Sequence, residues 1–257
     1  GYFRPSLKDY LIILSTGLCL STAVPAAQTA PERYALLSRA GIVQLDTQLT
    51  PTQRHWLQNK RELLLGASTP DYPPFDITAS GHDYEGITAD YAGILAKALA
   101  LPVTVVRYPS REAAIQALEE GKIDLLGSAN GFEASNADIV LSTPYAVDQP
   151  VLVTRDTETR PLDDGLAGLR LSLVYHYLPL KEVEALYPNA IIQVYPSYLN
   201  ALNAVAFDQA DVFLGDTIST HYMINKGYLK NIRMANFGKH EAYGFSFAVH
   251  RDQQTLL

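Results

Sequence analysis

VVRYPSREAAIQALEEGKIDLLG, from Val105 to Gly127, returns in altered form as IQVYPSYLNALNAVAFDQADVFLG, from Ile192 to Gly215. Tyr108-Pro109-Ser110 matches Tyr195-Pro196-Ser197 at an offset of 87 residues, and the same offset aligns Ala114 with Ala201, Ala117 with Ala204 and Asp124 with Asp211. One inserted residue then separates Gly127 from Gly215. Both copies spell one unit: a β-branched strand, a serine placed to accept from the free amides of a helix's first turn, an amphipathic helix and a short apolar strand. In the first copy Ala113, Ala114, Ala117 and Leu118 share a helical face, with Glu119 and Glu120 outside it. Unrelated α/β units share such features loosely, but an identical Tyr-Pro-Ser entry and a matched aspartate predict two similar lobes.

Working outward, strands are predicted at Leu63 to Ala67, Val103 to Arg107, Ile123 to Gly127, Val151 to Thr154, Arg170 to Val174, Ile191 to Tyr195, Val212 to Leu214 and Phe245 to Val249. Helices are predicted between them at Thr88 to Ala100, Ser110 to Glu120, Leu178 to Tyr187, Ser197 to Asp208 and Thr217 to Lys226. SGHDYEG, Ser80 to Gly86, reads as a turn between short strands. The fold class is therefore α/β, with mostly parallel sheets flanked by helices. The pattern restarts near AVDQPVLVT (Ala146 to Thr154), and the apolar alternation of HEAYGFSFAV (His240 to Val249) suits a return to the first sheet. Two crossings make a hinge, and loops beyond the carboxyl ends of both sets of strands face a cleft. The expected divisions are lobe 1 at 63–149 and 242–257, lobe 2 at 150–241, and a leader with a linker helix at 28–62.

Composition narrows the function. With 257 residues and 47% hydrophobic content the chain can fill real cores. Its 27 acids against 20 bases imply no basic face, so nucleic acid is not an expected partner. Arg4 and Lys8 precede the uncharged YLIILSTGLCLSTAV (Tyr10 to Val24) and small residues at Ala26 and Ala27, the pattern of a secretory signal over 1–27. An uncleaved anchor or a buried helix is the alternative, although the apolar run is short for a membrane span. Cys19, the only cysteine, lies in this segment behind Leu18 rather than a small residue, so the exported chain would have no thiol chemistry. The six histidines show no ligand-pair spacing, and neither a metal nor a cofactor is expected.

LLLGASTPDYPPFDI with YEGITADYAGILAKALAL, AIQALEEGKIDLLGSA, LSTPYAVDQPVLVT and ADVFLGDTI together resemble the type 3 periplasmic solute-binding family, the Venus-flytrap fold, over about residues 63 to 257. LTPTQRHWLQNKRELLLG, QADVFLGDTIST and NFGKHEAYGFSFAV are most similar to the first flytrap of BvgS/EvgS-type hybrid sensor histidine kinases, the virulence-sensor group. The resemblance implies a periplasmic domain in a longer, inner-membrane protein with a second flytrap, a membrane span and cytoplasmic kinase modules. It also implies a homodimeric receptor.

It implies, too, where a ligand would sit. In amino-acid-binding members the aromatic residue of the DYPPF loop stacks on the ligand; here that is Tyr72, with Asp71 beside it. The same loop reads equally as a stiff turn, because Pro73 and Pro74 fix backbone angles and Phe75 suits a core. Ser128 and Asn130 stand in the loop that offers hydroxyls and amides to ligands. Ser135 stands where amino-acid binders carry an arginine that clamps the ligand carboxylate, and Glu133 is the nearby charge. Tyr175, His176 and Tyr177 occupy a strand-to-helix turn where binders often have small residues; they would narrow the cleft or line it with hydroxyls. Asp216 matches the carboxylate that holds a ligand ammonium, or it caps the helix from Thr217. Losing a buried charge partner costs about 2 to 5 kcal/mol. The expected cleft therefore takes a small molecule without a clamped carboxylate, or is closed or held open by protein contacts alone.

The leading reading is an extracytoplasmic sensor module that transmits lobe opening and closing, or a ligand signal, to a kinase. The alternative is a free periplasmic solute-binding protein delivering a small polar solute to an ABC transporter. Catalysis by the domain itself is not expected, because Asp71, Glu133, His176 and Asp216 show no nucleophile-and-base spacing.

Overall fold

A computed structural model describes residues 31–41, 49–227, 229–237 and 241–257; the predicted signal at 1–27 lies outside the described residues, as does part of the leader. In chain order the first sheet takes strands β1 (Glu32–Leu36), β2 (Leu63–Ser68), β3 (Asp83–Tyr84), β4 (Val103–Tyr108), β5 (Leu125–Ala129), β6 (Ile139–Leu141) and β7 (Ala146–Asp148). Its helices are α1 (Pro51–Asn59), α2 (Ile87–Leu99), α3 (Arg111–Glu119) and α4 (Gly131–Ala134). The second sheet takes β8 (Pro150–Arg155), β9 (Arg170–Val174), β10 (Ile191–Tyr195), β11 (Val212–Asp216) and β12 (Ile232–Phe237), with helices α5 (Leu180–Leu186), α6 (Tyr198–Ala206) and α7 (Thr217–Asn225). The chain returns to the first sheet as β13 (Tyr243–His250).

The sheets share one plan. The first runs β3-β1-β4-β2-β5-β13-β6, with β7 also on β13, and the second runs β10-β9-β11-β8-β12. In each, the two strands of the repeat unit flank a central parallel strand, β2 between β4 and β5 and β9 between β10 and β11. An antiparallel strand then follows, β13 beside β5 and β8 beside β11. The serines of the repeat cap their helices as their position predicts: Ser110 accepts from Ala113 N at 3.1 Å and Ser197 from Asn200 N at 3.0 Å. Such caps are each worth about 1 kcal/mol.

The matched aspartates close the unit at its other end. Asp124 N donates to Leu64 O at 2.8 Å and its carboxylate accepts from Leu64 N at 2.9 Å, tying the entry of β5 to the start of β2. Asp211 repeats this on Arg170 with N to O at 2.9 Å and carboxylate from N at 2.8 Å. Each carboxylate also takes a cation, Lys60 on Asp124 and Arg160 with Arg170 on Asp211. Both aspartates sit at the amino ends of the strands, away from the cleft, so the most conspicuous polar match in the repeat is structural. Lys60 follows α1, whose Thr50–Gln53 capping box starts the leader helix, and thus pins that helix to the first sheet.

Besides the two- and three-residue strands β3, β6 and β7, the sequence pattern missed β1 and β12, for one reason. In β1 only Tyr34 is buried, and β12 alternates polar residues through IRMANF, so neither offers the apolar run that marks a strand. Both are recruited by backbone pairing, β1 to β4 and β12 to β8. The first sheet packs apolar clusters on its two faces, around Leu63, Leu65 and Tyr84 and around Leu118, Ile123 and Leu126. The cluster of the second sheet is larger and includes Tyr72 and Phe75, which the loop after β2 contributes from the first sheet.

Asp211 is 4% exposed, and its hydrogen bonds with Arg170, together with Arg160, hold its carboxyl well below the usual carboxylate range. A depressed native pKa contributes stability that is complete above the unfolded value of about 4 and is lost as pH falls below it. Asp211→Asn should destabilise the fold by about 3 kcal/mol at neutral pH. The melting temperature should fall by roughly 6–12 °C, and the gap to the unsubstituted protein should shrink on acidification in thermal scans.

Candidate functional site

The loop after β2 is a tight turn, with Phe75 N and Asp76 N both donating to Tyr72 O at 2.9 Å. It docks on the start of α2 through Ile87 N to Pro74 O at 3.0 Å and Thr88 N to Phe75 O at 3.2 Å. This approach requires Gly86: at φ 117° it sits in a region that favours glycine, and a Cβ would collide with the carbonyls of Pro74 and Phe75. Phe75, fully buried, stacks on Phe245 at 4.1 Å. The loop is thus a stiff turn and a cleft wall at once, projecting Tyr72 across to the second lobe.

There the Tyr72 hydroxyl donates to Asp216 Oδ1 at 2.5 Å. Asp216 Oδ2 accepts from Ser219 N at 2.7 Å, so this carboxylate caps α7 with one oxygen while the other holds a polar hydrogen of the opposite lobe. Burial raises the Asp216 carboxyl above its ordinary value, opposed by these hydrogen bonds. Tyr198 meets the Tyr72 ring edge-on at 5.2 Å, and His176 lies at 5.8 Å. Burial, with help from the Arg111 charge, pushes His176 down to about 3, so its imidazole is neutral at physiological pH.

Further hydrogen bonds join the lobes across the cleft. Asn130 Nδ2 donates to His176 O at 2.8 Å, and the Tyr175 hydroxyl donates to Glu112 Oε2 at 2.8 Å. At the adjacent Gly131 an added Cβ would stand 3.2 Å from Pro179 Cγ and 3.0 Å from the Tyr243 hydroxyl. Phe132 packs edge-on against Tyr175 at 5.7 Å.

Several candidate residues are spent within their own lobe. The Ser128 hydroxyl donates to Asp76 Oδ2 at 2.6 Å, and its amide donates to the Tyr145 hydroxyl at 2.7 Å. Asp71 accepts from Thr78 N at 3.0 Å and Thr78 Oγ1 at 2.6 Å. Ser135 is exposed at the end of α4, with its hydroxyl on Gly131 O at 2.8 Å. Tyr177 is buried in the second lobe, its hydroxyl without a hydrogen-bond partner. The geometry therefore joins Tyr72, Asn130, Tyr175, His176 and Asp216 across the cleft and leaves Asp71, Ser128, Ser135 and Tyr177 outside the contact.

Arg111 and Tyr198, not singled out from the sequence, complete the site with Glu133. Arg111 is buried and donates to Glu133 Oε1 from Nε at 2.9 Å and Nη2 at 2.8 Å, and also to Gly127 O at 2.9 Å. The other Glu133 oxygen accepts from Asn130 N at 2.8 Å. Glu133 thus occupies the Arg111 guanidinium, as a ligand carboxylate would. Arg111 and Tyr198 are equivalents at the 87-residue offset, each the first residue of its helix after the capping serine. That shared position was a readable signal, since the first turn of both helices faces the cleft.

Two hinged α/β lobes with strand-end loops meeting across a cleft define a binding protein of the flytrap class. Residues 64–257 match the bacterial extracellular solute-binding proteins, family 3, and the chain belongs to that family. It is 40% identical over 247 residues to the virulence sensor protein BvgS of Bordetella bronchiseptica, an alignment covering 93% of this chain and 20% of the relative. It is 26% identical over 251 residues to the sensor protein EvgS of Escherichia coli O157:H7, covering 96% of this chain and 21% of the relative. The crystal structure of the B. pertussis BvgS periplasmic domain superposes with a TM-score of 0.73 at 39% identity, covering 88% of this chain and 44% of that one. The chain spans about one fifth of the length of these sensor proteins. Among the described residues no helix is long and apolar enough to cross a membrane, and no group of three or more His, Cys, Asp or Glu could hold a metal ion.

Tyr72→Phe removes the one hydroxyl that Asp216 receives from the opposite lobe and should cost about 1–3 kcal/mol of closure. Small-angle scattering or a paired-label distance should then show an increased open population. Asp148 tests the electrostatics in the opposite sense. Its Oδ2 accepts from Ile218 N at 2.8 Å, its Oδ1 is buried without a partner, and burial followed by the Asp216 charge raises it to about 7. A raised native pKa means stability present below the unfolded value of about 4 and lost as pH rises through the native one. Asp148→Asn should therefore raise the melting temperature at pH ~8 by an amount worth about 1–3 kcal/mol and leave it nearly unchanged at pH ~4.

Proposed function

We propose that this chain is the extracytoplasmic sensory domain of a two-component hybrid histidine kinase, in which lobe opening and closing, or a ligand signal, biases the kinase. The observation that carries the reading is the Tyr72–Asp216 hydrogen bond, which fills a solute's place with the chain's own side chain. A transport protein must yield its cleft to solute, whereas a sensor can be set by any influence that favours one lobe arrangement. Similarity to two sensor proteins supports the same reading.

On this reading the domain is exported by residues 1–27 and lies in the periplasm, with lobe 1 at 63–149 and 242–257 and lobe 2 at 150–241. A second flytrap follows in the same polypeptide, and the receptor is a homodimer. The B. pertussis relative has a periplasmic domain described as its second flytrap. A solute entering the central cleft displaces Tyr72 from Asp216 and meets Asn130, Tyr175 and His176. It finds no free guanidinium for a carboxylate, because Arg111 is held by Glu133.

The test is to lock the lobes in the intact receptor. Glu112→Cys with Tyr175→Cys replaces an interlobe hydrogen bond by two thiols that a short bis-maleimide can bridge. Bridging should fix kinase autophosphorylation at one level whatever the stimulus; output that still responds as before would sink the proposal.

A further inference from the structure

Beside the Tyr72 loop, on the flank of the cleft, lies a cavity of about 560 Å³ whose walls come from both lobes. The first lobe supplies Pro70, Pro73 and Ala79, and the second supplies Tyr198, Leu199 and Met223. Its volume falls within the range of small-molecule sites, and these walls are largely apolar. Two charged residues reach it, Arg107 of β4 and Asp71.

The charges are not equivalent. Asp71 already accepts two short hydrogen bonds from Thr78, one to each oxygen. Arg107 is incompletely satisfied: Nη1 is divided between Glu32 Oε2 at 3.0 Å and the Tyr34 hydroxyl at 3.2 Å, and the enclosed Nε has no acceptor. A buried donor left without a partner is costly and calls for a physical reason. The Glu32 side chain is 65% exposed, so its ion pair with Arg107 is weak and displaceable. Arg107 also lies over the Tyr34 ring at 5.5 Å, which holds the guanidinium plane in place.

We infer that this flank cavity is a ligand site, separate from the central cleft, for a small monocarboxylate with an apolar body. The carboxylate takes the place of Glu32 on Arg107, and the apolar body lies against Pro70, Pro73, Leu199 and Met223. Asp71 in the same wall disfavours dianions, and the absence of a second cation among the lining residues agrees. Because both lobes build the walls, an occupant binds the closed arrangement better than the open one and shifts the domain toward closure. The site does not depend on the sensor reading, since binding is measured on the chain alone.

Isothermal titration of the 257-residue chain with hexanoate, hexanamide and hexylammonium tests this. Hexanoate should bind with a Kd below about 1 mM, and the amide and the ammonium at least about tenfold more weakly. Arg107→Met should weaken hexanoate at least about tenfold, and Glu32→Gln should tighten it by removing the competing acid. Leu199→Trp, at a position 41% exposed and therefore tolerant, should block the cavity without touching Arg107. It carries the test if Arg107→Met fails to fold. No binding of hexanoate up to about 10 mM, equal binding of the three probes, or hexanoate affinity indifferent to the folded variants would each overturn the proposal.

Discussion

One hydrogen bond, from the Tyr72 hydroxyl to Asp216, sets the relation of the two lobes. It sits where water is excluded, between a buried tyrosine and a buried carboxylate that has no cation of its own. A bond of this kind gains little over hydration while it is made, yet its loss strands the carboxylate at the full desolvation cost. That asymmetry gives the closed arrangement its definition. Tyr198 and His176 guard the bond by packing on the Tyr72 ring, while Asn130 and Tyr175 repeat the bridging at the other side of the cleft.

The repeat explains how such a contact arises. Each lobe is strand, capped helix and strand around a central parallel strand, and each closes its base with an aspartate on the start of that strand. The units differ at the helix residue that faces the cleft, where one has Arg111 and the other Tyr198. Arg111 turns inward to Glu133 and steadies the loop carrying Asn130. Tyr198 faces Tyr72 and becomes part of the closure. Identical scaffolds with unlike first-turn residues thus yield an asymmetric cleft.

Much of this is legible in the sequence. Apolar period and serine caps located the repeat's strands and helices to within a few residues, because core patterning and capping are local. Strands β1 and β12 were not legible, since backbone pairing needs no apolar run. Among the candidate residues, Tyr72 and Asp216 were each readable as cleft candidates from their places in the loops, but not as partners of one another, and Ser128 was not readable as spent. Its neighbour Asp76 lies 52 residues away, and no local spacing announces that pairing.

The sequence alone thus determined the duplicated α/β unit and the stiff Tyr72 turn. Those follow from residue type and short-range order. Tertiary structure alone decided that Glu133 occupies Arg111, that Tyr72 occupies Asp216, and that the matched aspartates serve the base rather than the cleft. The physical reason is common to all three: which polar group satisfies a buried charge depends on what long-range packing places within hydrogen-bonding distance, and residue order along the chain does not encode that distance.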